Sequence, residues 1–103
     1  MIHVIATIKT IDDKRDELVA AFQEILPRIR AKTGCIEYGV AIHCKSGLPG
    51  QNPFDENEVI IIEKWTDLSA LKTHITDPIY QTWFIKISPL IVGAFMEIFE
   101  SVD

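Results

Sequence analysis

Residues 59–65 read Val-Ile-Ile-Ile-Glu-Lys-Trp, and the prediction of the fold starts from this stretch. Four β-branched residues in succession predict a strand. Val59 and Ile61 fall on one side of that strand. Ile60 and Ile62 fall on the other side. A strand that is apolar on both sides belongs to a sheet with a cover on both faces. The rest of the chain must supply at least one of these covers.

The chain before this stretch predicts two more strands and a long helix. Residues 2–10 alternate in the way that is typical of a strand. Asp12-Asp13 can supply an N-cap and acidic charge for a helix that we expect to run to about Lys32. Gly34 suits the left-handed position after the last helical turn. A second strand is predicted at residues 35–44.

The chain after the stretch predicts two helices and a last strand. Thr66-Asp67 cap a short helix, and Asp77-Pro78 begin the next one with Asp as the cap and Pro at the first helical position. Residues 94–102 return to strand-like alternation. A loop at residues 45–57, rich in Gly, Pro and Asn, separates the second and third strands. Loops of this length are often functional.

The resulting order is β-α-β-β-α-α-β in a single domain of residues 1–103. Split βαβ units of this kind form an antiparallel sheet with helices on one face, which is an α+β architecture. The helices can cover only that face, whereas the first, third and fourth strands are apolar on both. We therefore expect a second copy of the chain to cover the bare face in a symmetric homodimer.

Composition narrows the classes of function. The chain carries 10 Lys+Arg against 15 Asp+Glu, a net charge of −5, which disfavours nucleic acid and an anionic membrane surface as partners. Apolar residues make up 48% of the chain, yet no run approaches the roughly 20 residues of a transmembrane helix. Cys35 and Cys44 lie too far apart on one predicted strand to form a bond. Free thiols favour a cytoplasmic location.

Four short motifs occur in a characteristic order. They are Gly-Cys-x-Glu-Tyr at residues 34–38, Glu-x-Trp at 63–65, Ala-Leu-x-x-His at 70–74, and Asp-Pro-Ile-Tyr at 77–80. With this order and spacing the chain resembles the antibiotic biosynthesis monooxygenase family, from about Val4 to Phe99. Within that family it looks most like the bacterial quinol monooxygenases.

The resemblance implies a ferredoxin-like fold and a homodimer in which two sheets close into an α/β-barrel. It also implies an oxygenase that uses no metal, flavin or haem. The substrate would be a quinol or polyphenol, which passes an electron to O₂ once it is deprotonated. The protein then has to hold a flat apolar ring, remove a proton and stabilise the resulting anion.

His74 is the predicted catalytic base. It lies on the short helix near the sheet, and the ordinary pKa of histidine suits proton abstraction from a phenol. A histidine that buttresses the helix is the structural alternative. Trp65 ends the third strand and could stack on the substrate ring or donate its indole N–H. The alternative for Trp65 is a large core side chain.

Four further residues are candidates for substrate binding. Thr7 could offer a hydroxyl from the first strand, although threonine is also a good strand former. Tyr38 could bind a quinol oxygen or simply pack. His43 could act at a pocket mouth or be a solvated residue at the strand end. Phe84 could line the pocket. The histidines and cysteines show no zinc-ligand spacing.

Three alternative functions stay open. A haem-degrading relative would resemble this family in fold, but by the family pattern it would carry Asn and a His ligand where Thr7 and Phe84 stand. An isomerase acting on a phosphorylated sugar-like molecule would need several cationic or polar groups in its site. A non-catalytic ligand-binding or assembly module is compatible with the fold, because fold does not determine function.

Overall fold

A computed structural model describes residues 1–103 of the chain. Four strands and three α-helices follow one another in the predicted order. Their bounds are β1 Ile2–Thr10, α1 Arg15–Arg30, β2 Cys35–Ile42, β3 Glu58–Trp65, α2 Leu68–Ile75, α3 Pro78–Ile87 and β4 Ile91–Glu100, with a short 3₁₀ turn at Ser88–Leu90. None of the helices is both long enough and apolar enough to cross a membrane.

The strands form one antiparallel sheet in the order β2-β3-β1-β4. The stretch at residues 59–65 therefore lies in an inner strand, between β1 and β2. Connecting β1 to β3 and β4 in this order requires the helices to pack on one face of the sheet. The predicted α+β, ferredoxin-like architecture is confirmed.

The core lies between that helix-bearing face and the helices. Val59, Ile61 and Trp65 of β3 are at most 1% exposed, and they belong to the same buried cluster as Leu18 and Phe22 of α1. Burying a side chain of this size contributes about 1.5–3 kcal/mol to the free energy of unfolding. The alternation of residues along each strand in the sequence thus corresponds to the two faces of the sheet, one in the core and one open.

Two of the three predicted helix starts are confirmed at the level of single hydrogen bonds. The carboxylate of Asp67 accepts from the N–H of Ala70 at 2.8 Å, and that of Asp77 accepts from the N–H of Ile79 at 3.0 Å. The start of α1 differs from the prediction. Asp13 has a φ of 66°, so the chain turns there and α1 begins only at Arg15, without a side-chain cap.

Strand bounds and one strand face also differ from the prediction. β2 ends at Ile42, and β4 begins at Ile91 instead of residue 94. The pairing of β2 with β3 shifts between Cys35 and Glu37, which brings Tyr38 opposite Glu63. This irregularity leaves Ile36 half-exposed, although simple alternation places it on the face of Tyr38.

The second face of the sheet is open and apolar. Ile5, Ile62 and Phe99 lie on this face, and each is between 40 and 46% exposed. An apolar surface that extends over three adjacent strands is typical of a protein–protein contact. The open face predicted from the sequence is therefore present in the single chain.

Candidate functional site

A cavity of about 220 Å³ lies between the helix-bearing face of the sheet and the helices. Ala6 and Ile61 belong to its sheet side, and Leu71 and Phe84 belong to its helix side. Twelve of the 14 lining residues are hydrophobic. A dry cavity of roughly 150 Å³ is enough to bind benzene. This cavity therefore has the size and the lining to hold a somewhat larger flat ring.

Two non-hydrophobic residues line the cavity, and they are Glu63 and His74. The hydroxyl-bearing rings of Tyr38 and Tyr80 complete its set of polar groups. Binding sites for small molecules commonly combine an apolar lining with a few placed polar groups of this kind.

Glu63 is the carboxylate of the cavity. It is only 6% exposed, because strand alternation places it on the buried side of β3 between Ile61 and Trp65. One carboxylate oxygen, Oε1, accepts a hydrogen bond from Nε1 of Trp65 at 2.9 Å. Burial raises the pKa of Glu63 to about 7, and the Trp65 hydrogen bond opposes part of that rise. A carboxylate with a pKa near neutrality is well matched to general-base chemistry.

His74 reaches the cavity from α2 and is 2% exposed. Its ring stacks on Trp65, with centroids 4.9 Å apart, and lies 4.3 Å from the ring of Tyr80. Its Nδ1 is 2.8 Å from Nζ of Lys32. Burial, reinforced by the Lys32 cation, lowers the pKa of His74 to about 4. The ring is therefore neutral at pH 7, and it is a weaker base than the sequence-based prediction assumed.

Tyr38 and Tyr80 supply neutral hydroxyls. Tyr38 lies on β2 directly opposite Glu63, and Tyr80 comes from α3. Burial raises the pKa of Tyr38 far above its usual range and raises that of Tyr80 to about 12. Both hydroxyls therefore stay protonated at neutral pH and can donate to a ligand oxygen. Phe84 also lines the cavity, as predicted, and its ring lies 6.1 Å from that of Tyr80.

The remaining predicted binding residues do not line the cavity. Trp65 lies behind it, fully buried, and acts on Glu63 and His74. Thr7 points to the open face, because its neighbours Ala6 and Ile8 face the cavity and strand positions alternate. His43 lies beyond the end of β2.

His43 makes hydrogen bonds near the 45–57 loop and does not contact the cavity. Its Nε2 is 2.7 Å from the carboxylate of Glu58, and its Nδ1 accepts from the N–H of Asp55 at 3.3 Å. The histidine thus ties the 45–57 loop to the start of β3. Strand alternation could not predict this, because the contact depends on how the loop folds back.

Glu63 and Tyr80 are functional candidates that the sequence analysis did not assign. The signal for Glu63 was present, since an acid at an alternating position among Val59, Ile61 and Trp65 must be buried. Tyr80 belongs to the Asp-Pro-Ile-Tyr motif at residues 77–80, but no strand alternation indicated that it would be buried. No group of three or more His, Cys, Asp or Glu side chains is placed to hold a metal ion.

Comparison with known proteins gives a consistent result. The profile of the family described as "Antibiotic biosynthesis monooxygenase" matches residues 1–85. The chain is 28% identical over 80 residues to the "Probable quinol monooxygenase YgiN" of Escherichia coli K12, covering 76% of each chain.

Solved structures share the fold at lower sequence identity. Rv0793 from Mycobacterium tuberculosis superposes with a TM-score of 0.79 at 21% identity, over 99% of this chain and 95% of that one. PA3566 from Pseudomonas aeruginosa superposes with a TM-score of 0.80 at 19% identity, over 99% and 94%. At these identities the superpositions establish the fold alone.

Proposed function

This chain belongs to the antibiotic biosynthesis monooxygenase family, and we propose that it oxidises a quinol or a related polyphenol with O₂. The observation that carries the proposal is a single buried carboxylate, Glu63, with a pKa of about 7 in a cavity whose lining is mainly apolar. The similarity to a quinol monooxygenase of Escherichia coli supports the same substrate class.

The proposed first step is removal of a proton from a ring hydroxyl by Glu63. Oε1 of Glu63 is occupied by Trp65, so Oε2 is the oxygen available to the substrate. At pH values above about 7 the carboxylate is ionised and can accept the proton. A phenolate is a far better electron donor than the phenol from which it forms.

The electrons for oxygen reduction come from the substrate itself. The quinolate transfers an electron to O₂, and the two radicals combine at a ring carbon. One oxygen atom then stays on the ring and the other leaves as water, while the quinol becomes a hydroxylated quinone. The substrate supplies all four electrons, so the reaction requires no external reductant and no prosthetic group.

The apolar lining serves this chemistry in two ways. It holds a flat ring by burial of apolar area, with Phe84 and Tyr80 on the helix side. It also keeps bulk water away from the carboxylate, which maintains the raised pKa of Glu63.

Oxygen consumption tests the proposal. Chemically reduced naphthoquinols and benzoquinols are offered to the protein under air, and the rate without protein is subtracted for each compound. We expect protein-dependent uptake that Glu63→Gln lowers by about 10²–10⁴-fold. Glu37→Gln is the matched control, since Glu37 lies on the same sheet but is exposed. Absence of protein-dependent uptake across the panel would overturn the proposal.

We also propose that the protein is a homodimer that pairs through its open sheet face. The exposed residues Ile5, Ile62 and Phe99 support this, since an apolar face of this extent is unfavourable in water. Light scattering coupled to size-exclusion chromatography measures the mass directly. We expect a dimer for the wild type and a monomer for Phe99→Glu. A monomeric wild type would contradict the proposal.

The free cysteines, Cys35 and Cys44, support a cytoplasmic location.

The alternative functions fit the cavity less well. Haem ligation is disfavoured because Phe84 has no ligating atom and Thr7 faces the other side of the sheet. A phosphorylated substrate is disfavoured because no Lys or Arg lines the cavity.

A further inference from the structure

The imidazole of His74 separates two environments. The residue lines both the apolar cavity and a surface groove that contains Arg28, Lys32 and Asp77. Lys32 follows α1, and Asp77 precedes α3, so the three contacting residues come from different parts of the chain. This arrangement determines which ring nitrogen carries the proton.

Lys32 forms a close ion pair with Asp77, with Nζ and Oδ2 2.8 Å apart. The same Nζ is 2.8 Å from Nδ1 of His74. An ammonium group has three N–H donors and no acceptor, so Lys32 can only donate to the imidazole. Nδ1 is therefore the acceptor, and the proton of the neutral ring is on Nε2.

Nε2 of His74 has no hydrogen-bond partner within the protein. Every fully buried side-chain nitrogen or oxygen in the protein has a hydrogen-bond partner. Because Nε2 has none, it is not fully buried and must border accessible space. Because Nδ1 is turned to Lys32 and the groove, the accessible space at Nε2 is the cavity. The other polar side chains that line this cavity are Glu63, Tyr38 and Tyr80.

We propose that His74 is a hydrogen-bond donor to the substrate, holding one ring oxygen through Nε2–H, and that Lys32 and Asp77 are the positioning residues that maintain this tautomer. The inference rests on the proposed function, because the oxygen that it binds is that of the quinol. Glu63 then accepts the proton, and His74 stabilises negative charge that remains on the ring.

A neutral imidazole suits this role. Donors aimed in advance at developing negative charge act strongly in an apolar site, because no solvent has to reorganise. A neutral N–H also does not form an ion pair with Glu63, so the carboxylate keeps its capacity to act as a base. The stack on Trp65 holds the ring plane in place while Lys32 determines its tautomer.

Nitrogen NMR of the histidine rings tests the tautomer without any turnover. Two-bond ¹H–¹⁵N spectra of ¹⁵N-labelled protein at neutral pH distinguish the two neutral tautomers and the imidazolium. His74→Gln identifies the His74 signals by their loss. We expect a neutral ring protonated at Nε2. A ring protonated at Nδ1, or an imidazolium, would overturn the inference.

Variants of the ion pair test the positioning role. Lys32→Met removes the donor but keeps the aliphatic stem, so we expect the Nε2–H tautomer to lose its dominance and kcat to fall about tenfold or more. Lys32→Arg restores an N–H donor and is expected to recover the tautomer. Lys72→Met is the control, since Lys72 is an exposed lysine on α2. An unchanged tautomer in Lys32→Met would overturn the role of Lys32.

A second variant and a ligand complete the test. Asp77→Asn keeps an acceptor for the N-cap of α3 while removing the charge that holds Lys32, and we expect a partial shift of the tautomer. A stable naphthoquinone serves as the probe of the cavity. We expect its carbonyl to shift the Nε2–H resonance of His74. Binding without that shift would overturn the donor role, whereas a shift without any quinol oxidation would instead refute the proposed function.

Discussion

Replacing Glu63 with Gln removes the carboxylate of the cavity and nearly preserves its shape. The amide oxygen of Gln can still accept the N–H of Trp65, whose donor atom is 2.9 Å from Oε1 of Glu63. The variant therefore isolates charge from packing. We expect it to lose activity and to gain stability at high pH. If Glu63 served packing alone, the variant would not combine a loss of activity with a gain in stability at high pH.

The magnitude follows from the pKa of Glu63. Burial raises that pKa from its ordinary 4.5 to about 7. Between these pH values the native state holds a proton that the unfolded chain has lost, so rising pH reduces the contribution of Glu63 to stability. One pKa unit corresponds to about 1.4 kcal/mol, so the full cost of the buried charge is about 3 kcal/mol above pH 7. Below pH 4.5 the cost vanishes, because the acid is neutral in both states.

Urea unfolding at a series of pH values measures the difference. The free energy of unfolding of Glu63→Gln should equal that of the wild type near pH 4 and exceed it by about 3 kcal/mol near pH 8. Protein concentrations are matched, because dimer stability depends on concentration. Glu37→Gln serves as the control and should show no such difference. A Glu63→Gln curve parallel to the wild type at all pH values would refute the burial argument and, with it, the assignment of the base.

Three further predictions follow from the same site and its supporting turn. His74 has a pKa of about 4, below its ordinary 6.5, so the stability that it contributes is lost as pH falls through that interval. As the pH rises from 4 to 6.5, the free energy of unfolding of the wild type, measured in urea, should therefore increase by about 3 kcal/mol relative to that of His74→Gln. A difference that does not change with pH would contradict this. Trp65→Phe removes the N–H that stabilises the ionised form of Glu63. The acid limb of the plot of kcat/KM against pH should therefore move to higher pH by about one unit. An acid limb at the same pH as in the wild type would argue against Glu63 as the base. Gly34→Ala places a Cβ at a φ of 83° and 2.6 Å from a side chain of α2, so thermal unfolding should show a loss of about 2 kcal/mol or more. Gly50→Ala has a similar φ and open space, and it should lose less.

Much of the fold was accessible from local patterns. The strand at residues 59–65 and the caps at Asp67 and Asp77 depend on neighbours within a few positions, and each occurs where the sequence predicts it. The start of α1 was not predicted correctly, because acidic residues suggest a cap but the left-handed turn at Asp13 delays the helix. The pairing shift at Cys35 was equally hidden, because it depends on how β2 aligns with β3.

The candidate site was only partly accessible. Tyr38, His74 and Phe84 were named from the sequence, and they line one cavity together. Thr7 was also named, but it points to the other face of the sheet. Glu63 appeared within a motif without a role, although its position in an apolar strand predicts burial.

The order of elements, the two-sided apolar character of β3 and the apolar open face can all be read from the sequence, since each follows from side-chain periodicity along a single segment. The protonation and hydrogen bonding of the polar groups depend on the three-dimensional packing. The pKa of Glu63 depends on how completely the helices packed on the sheet exclude water from it. The tautomer of His74 depends on Lys32, which is 42 positions away in sequence but 2.8 Å away in space. Such properties arise from packing between segments that are distant in sequence. The periodicity within one segment does not show how close another segment lies in space.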